Sequence, residues 1–517
     1  MPQPLHTVHV RVNDAATGQP TPVRIRFTDS EGTYYAPFGR LTEFATGCGE
    51  DVGGNLQIGS QKYAYIDGTC EILLPASGCI VEVSKGPEYK PLRQEVTLGS
   101  GKMALRLTIE RWTDARKDGW YSGDTRVHHL TPHAALLEGA AEDLAVVNLL
   151  ADETTILGTL DPVDDEATRR FPAIPNILAF SGQRPALEES GHLVVVGTWN
   201  GHLQLGTLAL LNCHRIVFPL KFGGPGGFED WTLADWCDQC HRKGGLAVWT
   251  KSKSLKDSRL WLKDSKFHCG EALADLILGK IDALEIRAAI QIADWHLLLN
   301  CGLCVPIVGG SGKFDNTAAL GWPRTYAQLL PGQEFDYRNW IEAIRAGRTF
   351  VTTGPLLFLT VNGQGPGSVI NASSGRAKVH VRVEVKNAGP LEMLQIVGNG
   401  PNRSINLRGK ATGVEVESSA IFEEEIELPT GWIAAAVYLG EKLGLASVFA
   451  HTSPVYIQVE GQKPKPAPQA IETVMKQLDR ALAWVQLEGR FQNQEQRERL
   501  SKIFWSARDA LMSRARS

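Results

Sequence analysis

Short stretches of strict alternation open the chain. Val8, Val10 and Val12 alternate with His9 and Arg11, and Val23, Ile25 and Phe27 and then Leu105, Leu107 and Ile109 continue the pattern. Period-two alternation marks strands with one buried face. Turn residues separate the runs, as in Pro75-Ala76-Ser77-Gly78. An antiparallel β-sandwich is therefore expected over 1–112, with the glycine-rich stretch 37–62 as a long insertion reaching toward the next unit.

Beyond residue 113 the period changes. Helical patterns over 134–142, 235–243, 271–278, 294–300 and 337–346 alternate with short apolar runs at 144–147, 193–196, 246–249, 281–286 and 305–308. Such alternation predicts a mostly parallel sheet with crossover helices, and the number of strands favours a barrel over 113–355. Alternation returns with Val379, Val381, Val383 and Val385, so a second β-sandwich is expected over 356–460. A proline-rich linker then leads into two amphipathic helices within 461–517. Ile471, Val474, Met475, Leu478, Leu482 and Val485 line one, and Leu500, Ile503, Phe504, Ala507 and Leu511 the other. Each apolar face needs a partner: the other helix, the body, or a second chain in an oligomer.

Composition narrows the classes. The 517 residues are 43% hydrophobic and carry a net charge of −4 with both signs mixed. Basic clustering of the kind a nucleic-acid surface shows is absent. No apolar run is long enough to span a membrane, and Met1–Val8 lack a signal-peptide pattern; a cytoplasmic protein is expected. Nine cysteines include two CxxC pairs, Cys237/Cys240 and Cys301/Cys304. The first pair falls in a helical pattern and the second at a helix end, so buried reduced thiols are expected rather than a zinc knuckle.

The densest chemistry lies in Gly119–His133, which holds Asp124, Arg126, His128, His129 and His133 at the end of a predicted strand. Strand ends that precede helices are where α/β folds place their sites. Arg126 and His128 alternate and would share a face. A lone histidine is usually a satisfied hydrogen-bonding group, the reading given to His129 and His133.

The run Trp120-Tyr121-Ser122-Gly123-Asp124 followed by His128 resembles the first motif of the CehA/McbA branch of PHP-type metallohydrolases. Gly347-Arg348-Thr349-Phe350-Val351-Thr352 is similar to another phrase of that branch. Residues 67–83 loosely resemble a carboxypeptidase-regulatory-like sandwich. The implied fold is multidomain α/β plus β: a distorted (β/α)7 barrel flanked by two β-sandwiches and a C-terminal helical hairpin. The implied activity is metal-dependent hydrolysis of an ester, amide or phosphoester, with a divalent zinc, manganese or iron ion activating water.

The ligand positions of that family are largely substituted here. Arg126 stands at the first ligand position, Asn148-Leu149-Leu150 replaces the second motif, Lys251 replaces a histidine, and Gly312 and Phe314 replace the last aspartate and histidine. His128, His202 and Glu285 remain as metal-ligand candidates, with Asp124, Arg126 and Lys251 as candidate catalytic residues. Fixed cations at ligand positions repel a divalent ion and can themselves clamp an anion. Two expectations follow. One is a metallohydrolase with substitute ligands such as Asp152, Glu153 or Asp315, acting on a small-molecule substrate. The other is a catalytically inactive relative that binds an anionic or carbohydrate ligand, or serves as an assembly scaffold. Glu285 is alternatively the partner of Arg126 or Lys251 in an ion pair, and Asp124 a binder of backbone amides.

Overall fold

The computed structural model describes residues 4–43, 53–98, 103–153, 175–202, 204–223, 228–250, 270–373, 375–399, 402–407, 418–439, 448–462 and 464–516. The architecture is mixed α/β, with extensive sheets and few helices among the described residues. Two sheets make the N-terminal sandwich. Leu5–Asp14 pairs with Thr69–Pro75 and Ala104–Ile109, and Val23–Thr28 is central in the facing sheet. The alternating valines of the sequence fill the space between them, with Val8, Val12, Val23 and Ile25 fully buried.

The 37–62 insertion does reach the central unit in its described part. Gln57 donates its backbone N–H to Asn316 O at 2.8 Å, and Gly54 N–H donates to Glu138 Oε1 at 2.8 Å. Buried charges also join the two units. Arg24 pairs with Glu142, and the Lys85 ammonium donates to the carbonyl oxygens of Pro22 and Ala140.

In the central unit Trp120–Val127, Val146–Ala151 and His192–His202 run parallel. Parallel order then breaks. Gly206–Leu211 pairs antiparallel with His192–His202 and again antiparallel with Leu246–Trp249. A connection as short as 203–205 can only make a hairpin, whereas a parallel return needs a crossover of a dozen residues. The mostly parallel sheet expected from the sequence is interrupted at this point by an antiparallel hairpin. Parallel pairing resumes through Ala283–Glu285 to Ile307–Val308, so the strands curve as a half-barrel. The segment after Ile307–Val308 returns to the first strand, where His128 N–H donates to Lys313 O and Gly312 N–H to Arg126 O, at 2.9 and 2.8 Å.

Arg324–Gln328 pairs with Trp120–Val127 on one side and Thr349–Thr352 on the other, and Thr349–Thr352 pairs with Val448–Thr452. One sheet therefore continues from the central unit into the C-terminal sandwich, across the 355/356 boundary. The opposing layer is Leu356–Val361, Ala377–Asn387 and Ser418–Leu428. Helices Pro468–Leu487 and Gln494–Arg516 bury Val474, Leu478, Leu500 and Phe504 against each other and against the central unit's helices, including Glu271–Ile277. Their apolar faces are thus covered within the chain. None of the described helices is long and apolar enough to cross a membrane.

Candidate functional site

Arg126, His128, His202 and Glu285 lie at or just past the C-terminal ends of parallel strands. Two glycines allow close approach there. A Cβ on Gly123 would come within 2.5 Å of the Trp340 ring, so this glycine lets the indole pack close to the first strand. A Cβ on Gly312, whose φ is +57°, would lie 2.7 Å from Arg126 Nη2 and 3.0 Å from Arg287 Cζ. Gly123 thus serves packing, and Gly312 makes room for two guanidinium groups.

Arg126 is fully buried. Its Nε and Nη2 donate to Glu285 Oε2 and Oε1 at 2.7 and 2.6 Å, a bidentate pair. Burial pushes the Glu285 carboxyl up, and Arg126 opposes that shift. Arg126 Nη1 is also buried and has no hydrogen-bond partner among the described residues. Arg287, exposed at the next same-face position after Glu285, donates through Nη2 to Ser311 O at 2.9 Å. Two guanidiniums therefore face one carboxylate.

Asp124 accepts three backbone N–H bonds. Arg126 N and Ser311 N reach Oδ1 at 3.0 Å each, and Gly321 N reaches Oδ2 at 2.8 Å. Burial raises this carboxyl and the amide bonds counteract it. Its oxygens tie three chain segments together. Asn148 is also engaged structurally: it donates to Asp124 O at 3.0 Å and accepts from the Tyr337 hydroxyl at 2.7 Å.

The two histidines occupy separate surroundings. His128 stacks on Phe314 with ring centroids 3.9 Å apart, takes the edge of Trp199 at 5.4 Å, and has Nδ1 3.7 Å from Asp152 Oδ2. His202 Nδ1 accepts from the N–H groups of Gln204 and Leu205, both at 3.2 Å. Its Nε2 lies 3.0 Å from Glu229 Oε2. The C-terminal hairpin helps to place Glu229, whose N–H donates to Arg490 O at 2.7 Å.

Of the six sequence candidates, Arg126 and Glu285 meet directly, and Asp124 braces the Arg126 backbone. His128 and His202 each take a separate carboxylate partner. Lys251 lies outside the described residues. No group of three or more His, Cys, Asp or Glu side chains that could hold a metal occurs among the described residues. The side chains present do not fit a divalent ion at Glu285, because both its oxygens already bind a guanidinium. Sequence reading passed over Arg287, Phe314 as a stacking partner, and Glu229. The alternation Glu285-Ile286-Arg287 carried a signal for the first; Glu229 follows a glycine-rich stretch and carried none. Cys237 and Cys240 are buried thiols, and Cys240 Sγ lies 3.5 Å from Cys213 Sγ.

Comparison with protein-family models finds no match, and comparison with curated proteins finds none.

Proposed function

We propose that the central unit is a PHP-like barrel of the CehA/McbA type whose inherited metal pocket has become a site for a small anionic ligand. The observation that carries this reading is the Arg126–Glu285 pair at the former ligand positions, with Arg126 Nη1 lacking a hydrogen-bond partner among the described residues and Arg287 beside it. A buried donor without a partner costs about 1–3 kcal/mol, a penalty that an oxyanion placed against it removes. Guanidinium forks suit carboxylate and phosphate geometry. In this reading the barrel binds rather than hydrolyses, with no step assigned to a metal.

The test pairs two measurements on the full chain. Elemental analysis is expected to give less than about a tenth of an equivalent of zinc, manganese or iron. Titration calorimetry is expected to detect inorganic phosphate or sulfate, with binding weakened about tenfold or more by Arg287→Ala, the loss of one charge-assisted bond. Stoichiometric tightly held metal, or no oxyanion binding, rules the reading out.

A second reading, metal-dependent hydrolysis of an ester, amide or phosphoester, draws on the His128–Asp152 and His202–Glu229 pairs, since a carboxylate behind an imidazole is how ligand or base histidines are oriented. Metal-stimulated hydrolysis of a generic phosphoester above the buffer rate would favour it.

A further inference from the structure

The ladder between the first strand and the 312–314 segment bears on what the anion is attached to. Val127 bridges Lys313 in parallel. This register sets Arg126 beside Gly312 on one rung and His128 beside Phe314 on the next same-face rung. Both pairings are visible in the contacts: Gly312 faces the Arg126 guanidinium, and His128 stacks on Phe314. Two residues of extended chain separate the rungs by about 7 Å. A cationic rung is thus followed, toward the strand end, by an aromatic one.

Trp199 and His129 complete the aromatic rung. Trp199 lies 6.3 Å from the Phe314 ring at 76°, and His129 lies 5.4 Å from it at 49°. Trp199, His129 and Phe314 are each only half-buried, so ring surface stays open to a ligand. His129 also holds a left-handed backbone at φ 63°, an uncommon conformation for a side-chain-bearing residue. Its Nε2 is buried without a hydrogen-bond partner among the described residues. Ring faces combined with an unpartnered polar nitrogen match a ligand that presents C–H faces and hydroxyls together.

Resting on the anion reading above, we infer that the ligand is an anionic sugar: a pyranose bearing a phosphate or carboxylate, its charge against Arg126 and Arg287 and its ring against Phe314, Trp199 and His129. A sugar phosphate and a uronate share this chemistry, and the experiment separates them.

Calorimetry on the full chain compares inorganic phosphate, glucose, glucose 6-phosphate, glucuronate and phenyl phosphate. Either anionic sugar is expected to bind at least about tenfold more tightly than inorganic phosphate or glucose alone, the gain a stacked ring supplies; whichever does so names the anion. Phe314→Ala is expected to reduce that preference to less than about threefold. If this variant does not fold, His129→Ala, at a half-buried position, takes its place with a loss of at least about threefold for the sugar. Equal binding of phosphate and both anionic sugars overturns the ring seat while leaving the anion site standing. Tighter binding of phenyl phosphate than of both sugars overturns the assignment to a pyranose. No binding by any of the five overturns this inference and the anion reading together.

Discussion

Arg126 and Glu285, 159 positions apart in the chain, meet through two charge-assisted hydrogen bonds with both side chains fully buried. Removing one partner strands the other as a buried charge. Arg126→Ala is therefore expected to cost about 3–5 kcal/mol, and the paired change Arg126→Met with Glu285→Leu much less. Urea unfolding of the single and double variants measures the coupling. Equal losses in both would mean that the ion pair is not a unit.

Gly123 shows how tightly this floor is packed. A methyl group there would lie 2.5 Å from Trp340 Cζ2. Gly123→Ala is expected to destabilise by about 1–3 kcal/mol through overpacking. A smaller ring should restore part of the loss, so the Trp340→Phe background is the informative comparison, read by thermal denaturation.

Acid sensitivity has an identifiable source at the junction with the C-terminal sandwich. His451 is fully buried; its Nδ1–H donates to Thr452 O at 2.8 Å, so its Nε2 accepts from His296 Nε2–H at 3.0 Å. Burial lowers His451 to about 4 from an ordinary 6.5, with the bond to Thr452 opposing the shift. A base depressed in the folded state takes up its proton more readily when unfolded. Its stabilising contribution is therefore whole above pH 6.5 and is lost as pH falls toward 4, on the order of 3 kcal/mol across that window. His451→Gln should flatten the acid limb of a stability-against-pH curve between pH 6.5 and 4. An unchanged slope would remove this histidine from the account.

The helical hairpin is expected to be part of the body rather than an appendage. Phe504 is fully buried in the cluster that joins both helices to the central unit. Phe504→Ala should cost about 3–5 kcal/mol. The loss should appear as one cooperative transition shifted downward by differential scanning calorimetry. A separate early transition with the main one unmoved would mean that the hairpin folds alone.

Much of this architecture could be read along the chain because local periodicity reports burial directly. The alternating valines at 8–12 and 379–385, the run at 246–249 and the amphipathic pattern of the last two helices depend on which side of one element faces a core. Each is decided by neighbours two, three or four residues away. The cation Arg126, two positions before His128, was visible for the same reason, since the order of residues along one strand is a local property.

Tertiary packing settled the rest. The antiparallel Gly206–Leu211 strand hung on the shortness of one connection, and the continuity of the sheet into the C-terminal sandwich hung on pairing of Thr349–Thr352 with Val448–Thr452. Above all, Arg126 had two candidate roles: a clamp for a bound anion, or the partner of a carboxylate far along the chain. Only the folded arrangement sets its Nε and Nη2 on Glu285 and leaves Nη1 without a partner among the described residues, because ion pairing depends on distances in space that residue spacing does not encode.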